Sequence, residues 1–278
     1  MSSGHRVMTG YAAVHYDSDG EDQPRYLLNL SSGSFRDPAA EQSARQAMGH
    51  GANGIWTATK FIPPLAAESP TPQHMFPVRL AAGTREFHRF CLRRRYATLF
   101  PRSGIKTMCL FIDGACTNNG RTDVVPQAGC AFVFNHRKGG AVGFPLEQAG
   151  PDGQVHMHTS NRAELRAVIA ALDFRCWGGE GWRRLVVVTD SEYVANGATE
   201  LMRKWAGRGW LTSSRKPVQN RDLWELLNKS LGKCADSGCE VSFWVVPREW
   251  NRRADRAARK AAKEEAPERF APIMGILC

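Results

Sequence analysis

The fold is decided by the stretch Phe111-Ile112-Asp113-Gly114-Ala115-Cys116-Thr117-Asn118-Asn119-Gly120. An apolar run over residues 108–112 ends in the carboxylate of Asp113, which predicts a strand whose end holds an acid at the edge of a sheet. Gly114 and the Asn-Asn-Gly sequence after it are turn formers, so we expect the chain to reverse direction here. Taken alone, an Asp-Gly pair after a strand indicates only a structural turn, and a functional role depends on acids downstream.

Three further acids stand in comparable settings. Residues 185–188 are all apolar, as in a strand that is covered on both faces, and the chain reaches Asp190 two residues later. Glu164 falls in the early turns of a helix that begins near residue 159, where Thr, Ser and Asn can serve as caps. A final helix carries Asp255 in its first turns. Two strand ends and two helix starts therefore each present a carboxylate.

The order of elements predicts an α/β domain with a mixed sheet. Three strands joined by short turns come first, and short connections imply antiparallel neighbours. Helices then alternate with strands, as in layered α/β folds. The predicted strands cover residues 105–112, 128–134, 141–146, 185–188 and 241–246, and the predicted helices cover residues 159–172, 192–196, 199–205, 222–231 and 251–265.

The four acids are expected to meet at one edge of this sheet, because strand ends and helix starts meet there and ligands bind there. Four converging carboxylates repel one another unless cations lie between them. Oxygen ligands suit hard metals, and Mg²⁺ is usually held by a few carboxylates, waters and substrate phosphates. Two such ions about 4 Å apart would contact both the attacking and the leaving oxygen of a phosphodiester.

These motifs together resemble ribonuclease H, type 1, and their wording is closest to the fungal branch of that family. The resemblance covers about residues 104–264 and is carried in order by Phe111-Ile112-Asp113-Gly114-Ala115-Cys116, Thr159-Ser160-Asn161-Arg162-Ala163-Glu164-Leu165, Thr189-Asp190-Ser191 and Asn251-Arg252-Arg253-Ala254-Asp255. It implies the ribonuclease H-like fold, a mixed five-stranded sheet of three antiparallel and then parallel strands, with helices on both faces.

The resemblance implies a Mg²⁺-dependent endonuclease that hydrolyses the RNA strand of RNA–DNA hybrids and leaves 5′-phosphates. Its catalytic residues and metal ligands would be Asp113, Glu164, Asp190 and Asp255, which would bind two Mg²⁺ ions, with Mn²⁺ as a substitute. Two alternatives stay open: a non-catalytic module that binds hybrids, and a domain derived from a transposon. The complete acidic set argues against a pure binder, because such a protein gains nothing by placing four anions against a polyanion.

The resemblance also implies contacts to both strands of the hybrid. Positions that meet the RNA strand in its shallow minor groove, where 2′-hydroxyls are read, are matched by Asn119, Ser160 and Asn161. Cys116 is a further residue expected to contact the nucleic acid. A pocket for a DNA-strand phosphate is matched by Thr159 and Asn220. The family's basic protrusion, which contacts and stacks on the substrate, is matched within residues 203–216 by Lys204, Trp205, Arg208 and Trp210. Turn, helix-cap and core roles remain open for several of these residues.

Two departures from the family pattern limit this inference. The family often carries a mobile histidine in a loop before the last acid, whereas residues 246–251 contain none. Glu249 is the candidate that could partly replace it. In residues 1–103 we find no aromatic-glycine pattern typical of the family's small hybrid-binding module, so the sequence does not predict processive cleavage.

Residues 1–103 are rich in Pro, Gly, Ser, Ala and Gln and show no sustained helical or strand period. We therefore expect an N-terminal extension that is largely disordered or loosely packed. A catalytic domain over residues 104–266 and a C-terminal tail over residues 267–278 would follow. A chain that begins near Arg102 is expected to fold and to cut hybrids at a similar rate.

The composition restricts the partners and the compartment. The chain has 278 residues and a formal net charge of +10, which suggests a polyanionic partner, although charge alone does not separate nucleic acid from a membrane surface or a solvated basic surface. No stretch is long and apolar enough to span a bilayer. Eight cysteines without paired spacing disfavour a zinc site and a disulfide scaffold. We expect an intracellular monomer, nuclear or cytoplasmic rather than secreted, with an RNA–DNA hybrid as partner and no membrane association.

Overall fold

The structure, a computed structural model, describes residues 37–51, 53–64, 70–80, 88–93, 96, 105–118 and 125–275. Its strands are β1 (Thr59–Lys60), β2 (Val78–Leu80), β3 (His88–Cys91), β4 (Thr107–Thr117), β5 (Gln127–Val133), β6 (Ala141–Pro145), β7 (Arg184–Thr189) and β8 (Glu240–Val245). Its helices are α1 (Pro38–Met48), α2 (Pro72–Met75), α3 (Ser160–Asp173), α4 (Glu192–Asn196), α5 (Met202–Ala206), α6 (Arg221–Asp236) and α7 (Arg252–Ala261). A π-helical turn, Gly197–Leu201, joins α4 to α5, and 3₁₀ turns cover Lys138–Gly140 and Arg248–Trp250.

The five predicted strands form the centre of a mixed sheet. Strand β4 pairs antiparallel with β5, which pairs antiparallel with β6. Strand β4 also pairs in parallel with β7, which pairs in parallel with β8. The predicted mixed α/β fold is therefore confirmed. Three short strands that the sequence did not predict extend this sheet: β1 lies parallel to β8, β3 pairs with the start of β4, and β2 pairs with β3.

The side chains of β4 alternate between two apolar layers, one on each face of the sheet, as in any strand covered on both sides. The even-numbered residues from Met108 to Ile112 pack with α3 and α6 on one face. Cys109 and Phe111 pack with Ala254 of α7 on the other. Helices therefore cover both faces, as expected. None of the helices in the described ranges is long and apolar enough to cross a membrane.

Strand β4 continues past Asp113, which corrects the prediction that the strand ends there. Residues from Asp113 to Thr117 pair with β5 in regular register. A Cβ atom on Gly114 would lie 2.2 Å from the backbone nitrogen of Glu164, so only glycine lets α3 cross the strand this closely. The glycine marks a close approach rather than a turn, and this approach brings Glu164 beside the strand that carries Asp113.

The described part of residues 1–103 is packed, which corrects the expectation of a loose extension. Helix α1 contacts α6 and β8, and Met48 and Trp56 are buried in the same apolar layer as α3. On the other face of the sheet, Phe61 and Phe76 pack around Trp244. The sequence shows no period here because the segment buries single side chains between turns instead of one face of a long element. Residues 1–36 lie outside the described residues.

The predicted C-terminal tail contacts the domain within its described residues, 267–275. Arg166 Nη2 donates hydrogen bonds to Glu147 Oε1 at 2.6 Å and to the carbonyl oxygen of Ala271 at 2.7 Å. The same guanidinium lies 4.5 Å from the ring centroid of Phe270. Ile273 is buried. A buried ion pair on α3 therefore anchors the segment that follows α7.

Candidate active site

Four elements bring the four predicted acids together. Asp113 lies within β4, Glu164 near the start of α3, Asp190 directly after β7, and Asp255 near the start of α7. The charges of the other three carboxylates all act on Asp113. Because α3 crosses β4 closely and β7 lies beside β4, the convergence follows from the fold itself.

Asp113 is the buried centre of this cluster, with 2% of its surface exposed. Its Oδ1 accepts a hydrogen bond from the Gly114 backbone nitrogen at 2.9 Å, whereas its Oδ2 is buried without a hydrogen-bond partner. Burial, followed by the charge of Asp190, raises the pKa of Asp113 to about 8. A buried carboxylate with an unpaired oxygen is unfavourable unless it is protonated or meets a cation.

Glu164 is held by a hydroxyl from the neighbouring helix. Its Oε2 accepts a hydrogen bond from Ser191 Oγ. Burial raises the pKa of Glu164 to about 7; the hydrogen bond from Ser191 opposes this rise, and the charge of Asp190 adds to it. Ser191 also caps α4, because its Oγ accepts a hydrogen bond from the Val194 backbone nitrogen at 3.3 Å. The cap that begins α4 therefore also fixes a site carboxylate.

Asp190 and Asp255 are joined by side chains from the segment before α7. Asn251 Nδ2 donates to Asp190 Oδ1 at 3.2 Å. Arg248 donates to Asp255 Oδ1, with its Nε at 3.2 Å, and the same Nε lies 3.9 Å from Asp190 Oδ2. Burial alone would raise the pKa of Asp255, but hydrogen bonds from Arg248 and Arg259 outweigh it and hold this pKa below its usual value.

The residues present fit hard divalent cations. All four acids offer oxygen donors, and the unpaired Oδ2 of Asp113 is the atom that most lacks a positive partner. Burial is the largest cause of the raised pKa values of Asp113 and Glu164, and a cation bound beside them would lower both. Oxygen-only donors suit Mg²⁺ or Mn²⁺ better than soft metals.

Arg248, Asn251 and Ser191 contact the acids directly, although none of them was a predicted site residue. Asn251 opens the last motif and Ser191 follows Asp190, so polar residues beside the predicted acids were the available signal. Their side-chain directions depend on how β8, α4 and α7 pack, which the sequence does not show. Glu249, the candidate to replace the missing histidine, is exposed.

The start of α3 carries three of the predicted nucleic-acid contacts, namely Thr159 for the DNA strand and Ser160 and Asn161 for the RNA strand. Thr159 caps the helix, because its Oγ1 accepts a hydrogen bond from the Arg162 backbone nitrogen at 3.2 Å. Ser160 is half-buried and Asn161 is exposed, one turn before Glu164. Cys116 on β4 is half-buried, and its Sγ lies 3.6 Å from the carbonyl oxygen of His158. Asn119 lies outside the described residues.

Asn220 adjoins this helix start through Arg162. Asn220 adopts a left-handed backbone conformation with φ of 57°, and its Oδ1 accepts a hydrogen bond from Arg162 Nη1 at 3.3 Å. Asp222 holds both terminal nitrogens of Arg162, at 2.9 and 2.6 Å. Arg162, a buried residue that was not among the predicted site residues, therefore links Thr159 to Asn220.

A group of potential metal ligands also occurs beside this arginine, away from the four acids. Ligand atoms of Asp152, His156 and Asp222 lie within 4.8 Å of one another. Asp222 is already paired with Arg162, and His156 Nε2 contacts Asp152 Oδ1 at 3.0 Å. The negative charge of Asp222 is therefore compensated by Arg162, unlike that of the unpaired Asp113 oxygen.

The basic segment exposes its cations and packs its tryptophans. Lys204 and Arg208 are exposed. Trp205 packs edge to face on the buried Trp224, with ring centroids 5.4 Å apart, and Trp210 is partly buried against the same core. Both rings therefore contribute to packing, and because both are only partly buried, their contact with substrate stays a prediction.

The helix before this segment contains a π turn where the sequence indicated a break between two helices. Met202 N donates to the carbonyl oxygen of Gly197, five residues back. A Cβ atom on Gly197 would lie 2.0 Å from Cη2 of Trp224, so the glycine is required by the indole and does not end the helix. π turns are frequent at functional sites, and this one lies directly before α5, whose Met202 is buried.

Comparison with known proteins finds relatives of the part of the chain that carries the four acids. Residues 105–263 match the family described as RNase H. The chain is 35% identical over 167 residues to the ribonuclease H of Cyanothece sp. (strain PCC 7425 / ATCC 29141), covering 57% of this chain and 91% of the relative. It is 38% identical over 157 residues to the ribonuclease H of Chromobacterium violaceum, covering 55% and 93%. The solved structure described as "Solution structure of PFV RNase H domain" is 20% identical, with a TM-score of 0.42 and coverage of 56% of this chain and 93% of that chain.

The relatives found do not support the expected likeness to a fungal branch. The two relatives named above are bacterial, as is a further ribonuclease H, from Treponema pallidum, that is 33% identical over 169 residues. The expected likeness to a fungal branch has no support from them. The family assignment does not depend on that detail.

Proposed function

This chain belongs to the ribonuclease H family and is a nuclease of RNA–DNA hybrids, and we propose that it is a type 1 member that cuts at four acids. The proposed catalytic residues and metal ligands are Asp113, Glu164, Asp190 and Asp255. The family uses divalent metal ions, and the proposed cofactor is Mg²⁺, with two ions in each site and Mn²⁺ as a substitute. The product would carry a 5′-phosphate.

The observation that carries this proposal is the unpaired, buried Oδ2 of Asp113 among three other carboxylates. Such an arrangement destabilises a protein unless cations compensate it. When bound, divalent cations would supply the positive charge that activates the attacking water and stabilises the leaving oxygen. Asp113 and Glu164 would bind them in the ionised form, so both carboxyl groups must first lose the protons that their raised pKa values favour.

The neighbours of the acids fix their positions before substrate arrives. Asn251 donates to Asp190 and, at 2.8 Å, to the carbonyl oxygen of Ile112, so it ties the end of β7 to β4. Ser191 fixes Glu164 in the same way. Such preorganisation matters because small displacements of catalytic groups cost large factors in rate.

We place the RNA strand over the start of α3. Asn161 is exposed one turn before Glu164, so a strand that contacts Asn161 and Ser160 passes directly over the acids. Cys116 and Asn119 are proposed to contact the same strand, and hydrogen bonds to 2′-hydroxyls would distinguish RNA from DNA.

The DNA strand is proposed to contact a second set of residues. Thr159 and Asn220, which Arg162 links, are proposed to bind one of its phosphates. Lys204 and Arg208 are proposed to neutralise phosphates further along. Trp205 and Trp210 are proposed to contribute through the edges of rings that pack against the core.

The test is cleavage of a labelled RNA–DNA hybrid by wild type and by Asp190→Asn, with Mg²⁺ and with EDTA. The substitution keeps the shape of the side chain and the hydrogen bond from Asn251, but it removes one charge. We expect the variant to fold, to bind hybrid as well as wild type or better, and to lose about 10³-fold or more in kcat. Glu265→Gln, which removes an exposed charge after α7, is the control and should leave the rate unchanged.

Two results would contradict the proposal. If Asp190→Asn cuts at nearly the wild-type rate, the acid is not a metal ligand. If the wild-type protein binds hybrid tightly and never cuts it with either metal, the non-catalytic alternative is correct. An Asp190→Asn variant that unfolds would instead assign the residue to a structural role at the end of β7.

A further inference from the structure

Arg248 is the one residue of the 3₁₀ turn Arg248–Trp250 whose side chain reaches the acids in the described structure. Its guanidinium donates to Asp255 Oδ1 and lies 3.9 Å from Asp190 Oδ2. At the same time 58% of its side chain is exposed. A side chain so open to water can leave the acids without disturbing the packing around it.

The backbone that carries Arg248 is fixed, in contrast to its side chain. Asn251 Nδ2 donates to the carbonyl oxygen of Ile112 at 2.8 Å. Gln73 Nε2 donates to the carbonyl oxygen of Trp250 at 2.6 Å, and Trp250 packs against an apolar cluster of the sheet. Gln73 and β4 therefore both hold the turn in place. The backbone of Arg248 stays near the acids, while its side chain can move.

The four carboxylates of the site have few bonded cations among the described side chains. Strands β4 and β7 and helix α3 contribute Asp113, Asp190 and Glu164 to the site. Among the described side chains that the structure shows bonded to the four acids, the cations are Arg248 and Arg259, and Arg259 reaches only Asp255, at 3.0 Å. Arg248 is therefore the cation that approaches two of the acids at once.

We propose that Arg248 is the counter-cation of the metal-free site, competing with divalent cations for Asp190 and Asp255 and withdrawing when they bind. The proposal rests on the proposed function only for the identity of the metal ligands. An arginine and a divalent cation cannot share the same carboxylate oxygens without strong repulsion. The guanidinium therefore stabilises the empty site and weakens metal binding, so it sets the metal concentration at which the site fills.

The test compares Arg248→Gln and Arg248→Lys with wild type in two measurements that need no substrate. The first is the dissociation constant for Mg²⁺ by titration calorimetry. The second is the melting temperature in EDTA. We expect Arg248→Gln to melt at a lower temperature in EDTA and to bind Mg²⁺ roughly three- to tenfold more tightly, because one positive charge near the ions is gone. Arg248→Lys keeps the charge and should stay near wild type in both.

Arg252→Gln is the matched control, since Arg252 is exposed at the first residue of α7, four positions along the chain. It should change neither measurement. The NMR signal of the Arg248 Nε–H group in the wild-type protein gives an independent readout, and it should lose its hydrogen-bonded shift as Mg²⁺ is added. This measurement decides the question even if a variant fails to fold.

Unchanged or weaker Mg²⁺ binding by Arg248→Gln would overturn the proposal, as would an Nε–H signal that Mg²⁺ leaves in place. These failures differ from failure of the proposed function. If the four acids do not bind metal at all, the wild-type protein shows no Mg²⁺ binding and Asp190→Asn does not alter it. If they do, wild-type binding is present and only the role of Arg248 is refuted.

Discussion

The most unusual single residue is Asp113, whose carboxyl group is buried and has one unpaired oxygen. Its pKa is raised from 3.8 in the reference state to about 8 in the folded protein, by burial first and by Asp190 second. Between these two pH values the folded state keeps a proton that the unfolded state has lost. The stabilisation that the protonated Asp113 carboxyl group gives to the folded state is therefore complete below about pH 4 and is lost as the pH rises towards 8.

We predict that the metal-free protein loses stability relative to Asp113→Asn as the pH rises from 4 to 8. The difference in the free energy of unfolding should reach on the order of a few kcal/mol, because each unit of difference in pKa between the folded and unfolded states is worth about 1.4 kcal/mol. Urea unfolding in EDTA at several pH values measures it. Asp236→Asn, which removes an exposed carboxylate at the end of α6, is the control.

The two stability curves would run parallel if Asp113 were ionised throughout, and the buried unpaired oxygen would then need another explanation. The control variant should give a curve parallel to wild type in either case. Above pH 8 the wild-type protein and Asp113→Asn should again change together, since the folded carboxyl group has by then ionised.

Individual site residues were predictable where the chain signals them locally. In the sequence, Asp113 and Asp190 follow apolar runs and Glu164 and Asp255 fall near predicted helix starts, so residue type and local pattern were enough to select them, although β4 continues past Asp113. The contacts of Arg248 and Ser191 with the acids were not predictable, because they depend on how neighbouring elements pack and on where each side chain points. Gly114 was misread for a related reason: a turn and a close approach both require the absence of a Cβ atom, and only the position of α3 distinguishes them.

At the scale of elements, the segment over residues 49–60 supports the helix that leads to the basic segment. The Ala58 backbone nitrogen donates to the carbonyl oxygen of Ala198 inside the π turn, at 3.1 Å. Lys60 pairs with Glu200, and Trp56 is buried against α6, where Asn228 Oδ1 accepts from its backbone nitrogen at 2.8 Å. We therefore propose that the folding unit begins near residue 37, rather than near residue 104.

Two truncations test this proposal. Removal of residues 1–36 should leave the melting temperature nearly unchanged. Removal of residues 1–61 takes away the buried side chains of Met48, Trp56 and Phe61, each worth roughly 1.5–3 kcal/mol of burial. The longer truncation should therefore melt well below wild type or fail to fold. Thermal denaturation of both truncated proteins beside wild type is the measurement.

If the longer truncation melts at the wild-type temperature, residues 1–61 are dispensable, as expected from the sequence, and the folding unit does not begin near residue 37. A point variant separates packing from the loss of chain as such. Trp56→Ala in the full-length protein should destabilise it by about 3–5 kcal/mol if the indole is part of the core. The exposed Ile62→Ala should have little effect.

At the scale of the whole molecule, the central sheet was predictable because its strands are either continuous apolar runs or joined by short turns. The buried strand β7 shows this in its sequence, Arg-Leu-Val-Val-Val-Thr. The strands β1, β2 and β3 were not predictable, because each has four residues or fewer and owes its pairing to the edge beside it. Local pattern therefore specified the part of the sheet that carries Asp113 and Asp190, and tertiary contacts specified the rest.

The whole chain carries a net charge of +10, so we expect its affinity for a hybrid to fall as the salt concentration rises. If Lys204 and Arg208 each neutralise a phosphate, Lys204→Ala with Arg208→Ala should raise KM, leave kcat nearly unchanged and lower the slope of log affinity against log salt by up to about two. Lys229→Ala with Lys233→Ala removes two exposed charges from α6 and is the matched control. Titration of labelled hybrid across salt concentrations measures all three proteins. Equal slopes for the two double variants would place the bound hybrid away from the basic segment, because counterion release counts only the cations that meet phosphates.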